Sequence, residues 1–298
     1  MNAEIQTVFK TVALLGKYQS AEVADALGRL AAFLAGEGLQ VWIEEDTARA
    51  VGAIAGAEPA SFERIGEEAD LAVVVGGDGT MLGAARRLAP YNVPVVGINQ
   101  GRLGFLTDIG RDEMIPRLAE ILAGRYLRER RVLLDAQVMR GGEDVFHTVA
   151  LNDVVLSRGE SGRMIEFDLH VDGEYIYSQR SDGMIVATPT GSTAYALSAN
   201  GPLLHPRLAG IVLVPLLPHG LTYRPLALAQ ESVVELVISP HYDARIHFDG
   251  QTLFEAHPQD RIRLRRSDIF VTLLHPESYS YFAVLREKLH WSAAPRLS

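Results

Sequence analysis

The sequence contains no cysteine, which excludes disulfides, thiolate nucleophiles and Cys-ligated zinc or iron–sulfur centres. Its nine histidines show neither H-x-x-x-H nor HExxH spacing, so the zinc hydrolase arrangement is missing. No G-x-S-x-G nucleophile elbow occurs either. Positive charge is in deficit, 28 Lys+Arg against 37 Asp+Glu for a net charge of −9. That balance offers no global attraction for nucleic acid or anionic lipid, although a small anionic ligand needs only a few local arginines. No apolar run approaches the roughly 18 residues of a spanning helix. The opening residues, MNAEIQTVFK, lack the basic, apolar, then small order of a secretory signal. The expectation is a cytoplasmic protein with neither nucleic acid nor membrane as partner. What is present is an ordinary globular composition, 48% apolar and 22% charged over 298 residues, enough for one large or two medium domains.

The first 125 residues alternate strand-like and helix-like segments. Residues 11–15 (TVALL), 41–43, 71–75 (LAVVV) and 93–98 read as strands, the third buried on both faces. Between them, residues 21–34 place Val23, Leu27, Leu30 and Leu34 on one helical face. A short helix is predicted over 80–88 and another over 112–123. Apolar strands alternating with helices imply a parallel sheet covered by helices. After Gly124-Arg125 the period changes to two. Ile165, Phe167, Leu169 and Val171 alternate with polar residues before Asp172-Gly173, and Ile246 and Phe248 lead into Asp249-Gly250, both hairpin signals. The expected fold class is therefore an α/β domain (1–128), a β-rich sandwich-like domain (129–278) and a C-terminal helix (about 279–298) returning to the first, with a cleft between the domains.

The sharpest chemical signal is Gly76-Gly77-Asp78-Gly79-Thr80, directly after LAVVV and before a helix. Three glycines let backbone approach a ligand closely, and a following helix aims free N–H groups at a phosphate. Thr80 is the expected cap of that helix. Asp78 falls at the carboxyl end of a parallel strand, where open α/β sheets bind ligands. Neither G-x-G-x-x-G nor G-x-x-x-x-G-K-[ST] is formed, because Leu82 breaks the first and the second is absent. A second segment, SDGMIVATPTGSTAYALSANGP at 181–202, crowds Thr188, Thr190, Ser192, Thr193 and Ser198 around Pro189 and Gly191. A short helix over 193–199 capped by Ser192 would present further N–H groups. Asn152-Asp153 pairs an amide with a carboxylate, suited to a sugar hydroxyl pair or a base edge. In NQGRLGFL (99–106), Arg102 is available to an anion and Phe105 to packing or stacking. His219 reads as structural.

Together GGDGT, NQGRLGFL, LNDVV (151–155), the 181–202 segment, LVPLLPHGLTYRPL (213–226), FDGQ (248–251) and LLHPESYSYFAVLREKLHW (273–291) resemble the NAD kinase family, in order and over most of the chain. The resemblance implies an α/β domain followed by a β-sandwich-like domain. It implies transfer of the ATP γ-phosphoryl group to the 2′-hydroxyl of the adenosine ribose of NAD, giving NADP. Asp78 matches the family's proton acceptor, and Asp78 and Gly79 line the acceptor site. Asn152 and Asp153 match a pair contacting NAD; Asp182, Thr193, Ala194, Tyr195, Ala196, Leu197 and Ser198 match further contacts. Arg163, Arg180 and Gln251 occupy positions used around the dinucleotide. The implied cofactor is a divalent cation, magnesium, with no metal ligands assigned. The implied partners are NAD, ATP and further copies of the chain, as a homodimer or homotetramer with sites completed by a neighbour. Arg180 resembles the charged residue of members that prefer ATP over polyphosphate. Asn200 stands where many relatives carry glycine, and asparagine tolerates a left-handed backbone there. GGDGT alone is also shared with diacylglycerol and sphingosine kinases, so a lipid kinase is one alternative. A non-catalytic NAD(P)(H) sensor is another; a pure sensor would not need Asp78.

Overall fold

The computed structural model describes residues 8–16, 21–101, 104–159 and 162–291. The chain forms two compact units, 1–130 with 271–298, and 131–270. It passes between them inside two strands.

The first unit is built from β1 (Thr11–Gly16), α1 (Ala21–Gly36), β2 (Gln40–Glu44), α2 (Glu45–Val51), β3 (Glu58–Ala60), α3 (Phe62–Glu68), β4 (Leu71–Val75), α4 (Asp78–Leu88), β5 (Val95–Asn99), β6 (Ile109–Gly110) and α5 (Met114–Leu122). The strands lie parallel in the order β3-β2-β1-β4-β5. Every residue of β4 and β5 is buried, as expected for strands covered on both faces. α1 buries Val23, Ala26, Leu27, Leu30, Ala31 and Leu34 against Leu14, Val73 and Val75, the face its spacing predicts. The order reverses between β1 and β4. Open α/β sheets bind ligands outside the carboxyl ends of their strands at such a switch point, and the glycine loop 76–79 leaves β4 there.

The second unit follows: β7 (Leu127–Arg140), β8 (Glu143–Ala150), β9 (Asp153–Arg158), β10 (Ile165–Val171), β11 (Glu174–Ser181), β12 (Gly183–Ala187), α6 (Tyr195–Ser198), β13 (Gly210–Leu216), β14 (Leu226–Ala229), β15 (Val234–Ile238), β16 (Ala244–Phe248), β17 (Thr252–Ala256) and β18 (Arg261–His275). α7 (Tyr281–Lys288) closes the chain in the first unit, with Ser280 accepting from the Ala283 N–H. One antiparallel sheet runs β14-β13-β12-β9-β16-β17. Facing it, β10, β11, β15 and the first part of β18 pair antiparallel. Val154, Leu156, Met184, Val186, Ile246 and Phe248 of the first sheet share one buried cluster with Phe167, Leu169, Leu236, Ile262 and Leu264 of the second. That is a sandwich core filled by alternate residues. Both hairpin signals form turns with left-handed Asp-Gly pairs: Asp172 and Gly173 at φ 54° and 82°, Asp249 and Gly250 at 55° and 62°.

The outer face of the six-stranded sheet is not left to solvent. Val155, Ile185, Ala187, Val212 and Val214 point outward and are covered by Ala196 and Leu204. The hydroxyl-rich segment therefore packs as a lid over that face. Asn200, just after α6, has φ 62°, the left-handed conformation asparagine accommodates. Among the described residues, no helix is long and apolar enough to cross a membrane.

Candidate active site

Asp78 opens α4. The helix begins two residues earlier than the spacing predicts, with Gly77 at the N-cap position and no capping side chain. Thr80 is not the cap: its own N–H donates to Gly77 O at 3.0 Å, and its buried hydroxyl has no hydrogen-bond partner among the described residues. The correction has a simple cause, since a glycine turn lets the helix start at the first residue able to place a negative charge over its N-terminus. Asp78 does so, but its carboxylate is also the anchor of the loop after β5. Leu106 N, Thr107 N and Thr107 Oγ1 donate to Oδ1 at 3.0, 3.2 and 3.0 Å, and Phe105 N donates to Oδ2 at 2.7 Å. Asn99 Nδ2 donates to Thr107 Oγ1 at 2.7 Å, so the hydroxyl proton is directed at Asp78. An ionised carboxylate offers about two acceptor positions per oxygen. Among the described residues, Oδ1 takes three donors and is full, and Oδ2 takes one and keeps a second position.

Phe105 thus serves Asp78 through its backbone, and Arg102 lies outside the described residues. Gly79 is exposed beside Asp78. The closeness of the loop explains Gly104, where an added Cβ would overlap Asp78 Oδ1. Gly104→Ala is therefore expected to displace the carboxylate and reduce turnover about 100-fold. Gly110→Ala, with open space around its Cβ position, should match wild type in the same steady-state assay.

In the second unit a cavity of about 490 Å³ is lined by Asn152, Asp153, Val155, Ser157, Ala194, Tyr195, His247, Asp249 and Gly250, a volume typical of small-molecule sites. Its floor is the outer face of β9 and β16. Because alternate residues share a face, Asp153, Val155 and Ser157 line it together, with His247 paired opposite Val155. Asp249 organises one end. Its Oδ2 accepts from Leu151 N at 3.0 Å, and its Oδ1 from Asn152 N and Asp153 N at 2.7 and 3.2 Å. In return, Asp249 N donates to Asp153 O at 2.9 Å.

Asp153 is buried, and this burial, followed by the Asp249 charge, pushes its carboxyl from an ordinary 3.8 to about 7. His247 is pushed down by burial and then by Arg245, which favours a neutral ring. Near neutrality the cavity thus offers a carboxyl able to donate or accept, an amide and a neutral imidazole. The raised value makes Asp153 a pH-dependent element of stability. Below the unfolded value both states hold the proton; between about 4 and 7 only the folded state does. Stability should therefore decline as pH rises through that window, by on the order of 2–4 kcal/mol. Urea unfolding at pH 5 and pH 8 should show the decline in wild type and its loss in Asp153→Asn; parallel behaviour of the two would contradict it.

Of the sequence-predicted residues, Asn152, Asp153, Ala194 and Tyr195 line this cavity. Thr193 is half-buried with its hydroxyl on Thr190 O at 3.0 Å, Ala196 is in the core, Leu197 is half-buried and Ser198 is exposed. Arg163, Arg180 and Gln251 are exposed, and Asp182 pairs with Arg158 at 3.2 Å; none of these four lines the cavity. Ser192 does not cap α6, which has no side-chain cap. Its buried hydroxyl instead donates to Pro189 O at 2.7 Å and accepts from Leu204 N at 2.9 Å. Thr188 and Thr190 are likewise engaged, with Leu151 O and Arg131. The hydroxyls fold the segment, because buried polar groups must find partners. His219 is exposed, its N–H on Arg180 O. Sequence reading missed His247, Ser157 and the role of Asp249. The alternation of β16 was the available signal, since residues between core-facing Ile246 and Phe248 must face outward.

Two solved kinase structures share this architecture. Yeast NADH kinase, solved in complex with NADH, aligns over 100% of this chain and 94% of its own with a TM-score of 0.88 at 24% identity. An Archaeoglobus fulgidus NAD kinase solved with ATP aligns over 94% and 98% with a TM-score of 0.74 at 25% identity. These are two-domain kinases of pyridine dinucleotides. In sequence, residues 12–126 match the ATP-NAD kinase N-terminal domain and residues 151–275 the C-terminal domain. NAD kinase of Aromatoleum aromaticum is 63% identical over 99% of this chain and 98% of its own, and that of Azoarcus sp. 60% identical over 97% and 98%. The chain belongs to the NAD kinase family of enzymes.

Proposed function

We propose that this chain transfers the γ-phosphoryl group of ATP to the 2′-hydroxyl of the adenosine ribose of NAD, giving NADP, with Asp78 as proton acceptor. The observation that carries the reading is the Asp78 carboxylate, clamped by four donors at the sheet's switch point, with one acceptor position on Oδ2 left open among the described residues. Phosphoryl transfer demands positioning and charge neutralisation more than covalent help. Asp78 orients the attacking hydroxyl through Oδ2 and takes its proton as the bond to phosphorus forms. Gly79 gives the substrate backbone access beside it. Asn152, Asp153, Ala194 and Tyr195 hold the dinucleotide, with His247, Ser157 and Asp249 added as cavity residues. Arg163, Arg180, Asp182, Thr193, Ala196, Leu197, Ser198 and Gln251 remain proposed contacts around it.

Among the described residues, no group of three or more His, Asp or Glu side chains is arranged to hold a metal ion. Magnesium commonly keeps few protein ligands and binds substrate phosphates, so the cation is proposed to enter with ATP. The exposed apolar side chains Tyr175, Leu217 and Leu221 of the second unit support a homo-oligomer, dimer or tetramer, checked by light scattering.

Purified protein with NAD, ATP and magnesium should form NADP, read by chromatography, with polyphosphate as the alternative donor. NAD binding without NADP from either donor would overturn the proposal.

A further inference from the structure

His275, the last residue of β18, lies with 1% exposure between two carboxylates from distant parts of the first unit. Its Nδ1 faces Asp108 Oδ2 at 2.9 Å and its Nε2 faces Glu129 Oε2 at 3.2 Å. Tyr279 stacks on the ring, with centroids 4.0 Å apart and planes 11° from parallel. The buried ring thus bridges two acidic side chains, one at each nitrogen. Such a site is a demanding one to maintain, because removing one partner of a buried charge pair leaves the others uncompensated.

What the cluster holds is the end of the loop that clamps Asp78. Asp108 follows Thr107 directly, and Thr107 supplies two of the four donors on the Asp78 carboxylate. Leu106 O and Thr107 Cα also press on Gly97 in β5, 2.6 and 3.0 Å from where a Cβ would stand. The loop is thus pinned at its back by β5 and at its end by His275, and Asp78 takes its orientation from it. We propose that His275 is a positioning residue for the phosphoryl transfer, acting through Asp108 and the 104–107 loop on Asp78. The inference rests on the catalytic reading of Asp78 given above.

The test is a double-mutant cycle on the full chain, read beside amide exchange. His275→Gln is expected to lower kcat about 10–100-fold, with KM for NAD changed less than about twofold. In an Asp78→Asn background the same change should have little further effect, since residues acting as one unit are not additive. Amide exchange at Phe105, Leu106 and Thr107 should speed up in His275→Gln while β4 keeps its protection. If that variant does not fold, Asp108→Asn, which keeps an oxygen for the Nδ1 donor, should show the same pattern at smaller size. Losses that multiply in the double variant, or unchanged exchange at the three amides, would overturn the positioning role. Wild-type turnover by Asp78→Asn would defeat the catalytic reading, and with it any kinetic effect through Asp78. The exchange data would separately show whether the clamp holds the loop.

Discussion

Asp78→Asn should keep NAD affinity within a few-fold and lower turnover about 10²–10⁴-fold, the range of general-base catalysis. The geometry says how the asparagine would sit. Three donors converge on Oδ1 and only one on Oδ2, so the amide oxygen takes the three-donor side. The NH₂ group then stands where Oδ2 was, facing the Phe105 N–H and the approaching substrate hydroxyl. Two donors meet there, and the position that should accept a proton offers one instead. The loss is expected in kcat rather than in KM, because the cavity proposed for the dinucleotide lies in the second unit and keeps all its residues. Wild-type kcat would remove Asp78 from the mechanism.

The second large effect is expected at Asp249. Replacing it by alanine removes the acceptor from three backbone N–H groups at once, those of Leu151, Asn152 and Asp153. Hydrogen bonds to charged groups contribute about 1.5–3 kcal/mol each, and bonds sharing one acceptor do not add fully. A loss of about 3–5 kcal/mol in urea unfolding is expected. NAD affinity should fall by at least about tenfold, since Asn152 and Asp153 lose the reference that fixes their turn. Asp249→Asn retains one oxygen and can keep the two partners of Oδ1, Asn152 N and Asp153 N, so its effect should be clearly smaller. Equal effects for alanine and asparagine would show that charge, not acceptance, is what the turn needs.

The contrast between Asp78 and Asp249 also marks what a sequence can disclose. The setting of Asp78 was legible because it is local: an apolar strand, three glycines and a helix within 18 residues. The family motifs then supplied the chemistry. Asp249 was legible only as half of a hairpin turn. Its partners lie nearly a hundred positions earlier, and no local pattern points to them. The His275 cluster was hidden for the same reason, its members drawn from positions 108, 129 and 275. The hydroxyl-rich segment divides: Ala194 and Tyr195 line the cavity, and its buried hydroxyls do not. Its composition suggested ligand contacts, yet Thr188, Thr190 and Ser192 are buried and hold backbone or Arg131. Density of hydroxyls carries no information about whether they face a cavity or the chain itself. The start of α4 and the absence of a Ser192 cap fall in the same group, since glycine turns let helices begin where side-chain rules do not apply.

β9 and β16 divide their residues between two employers. Val154, Leu156, Ile246 and Phe248 fill the sandwich, whereas Val155, Ser157 and His247 floor the cavity. Residues that fill the sandwich and residues that line the cavity therefore alternate along the same two strands, with Val155 serving also in the buried cluster under Ala196 and Leu204. Exchanges at 157 and 247 are expected to reshape the cavity without entering either apolar cluster. An insertion of one residue in either strand would instead swap the two sets and abolish both. A library confined to those two positions is the route expected to alter dinucleotide preference at least cost to the fold.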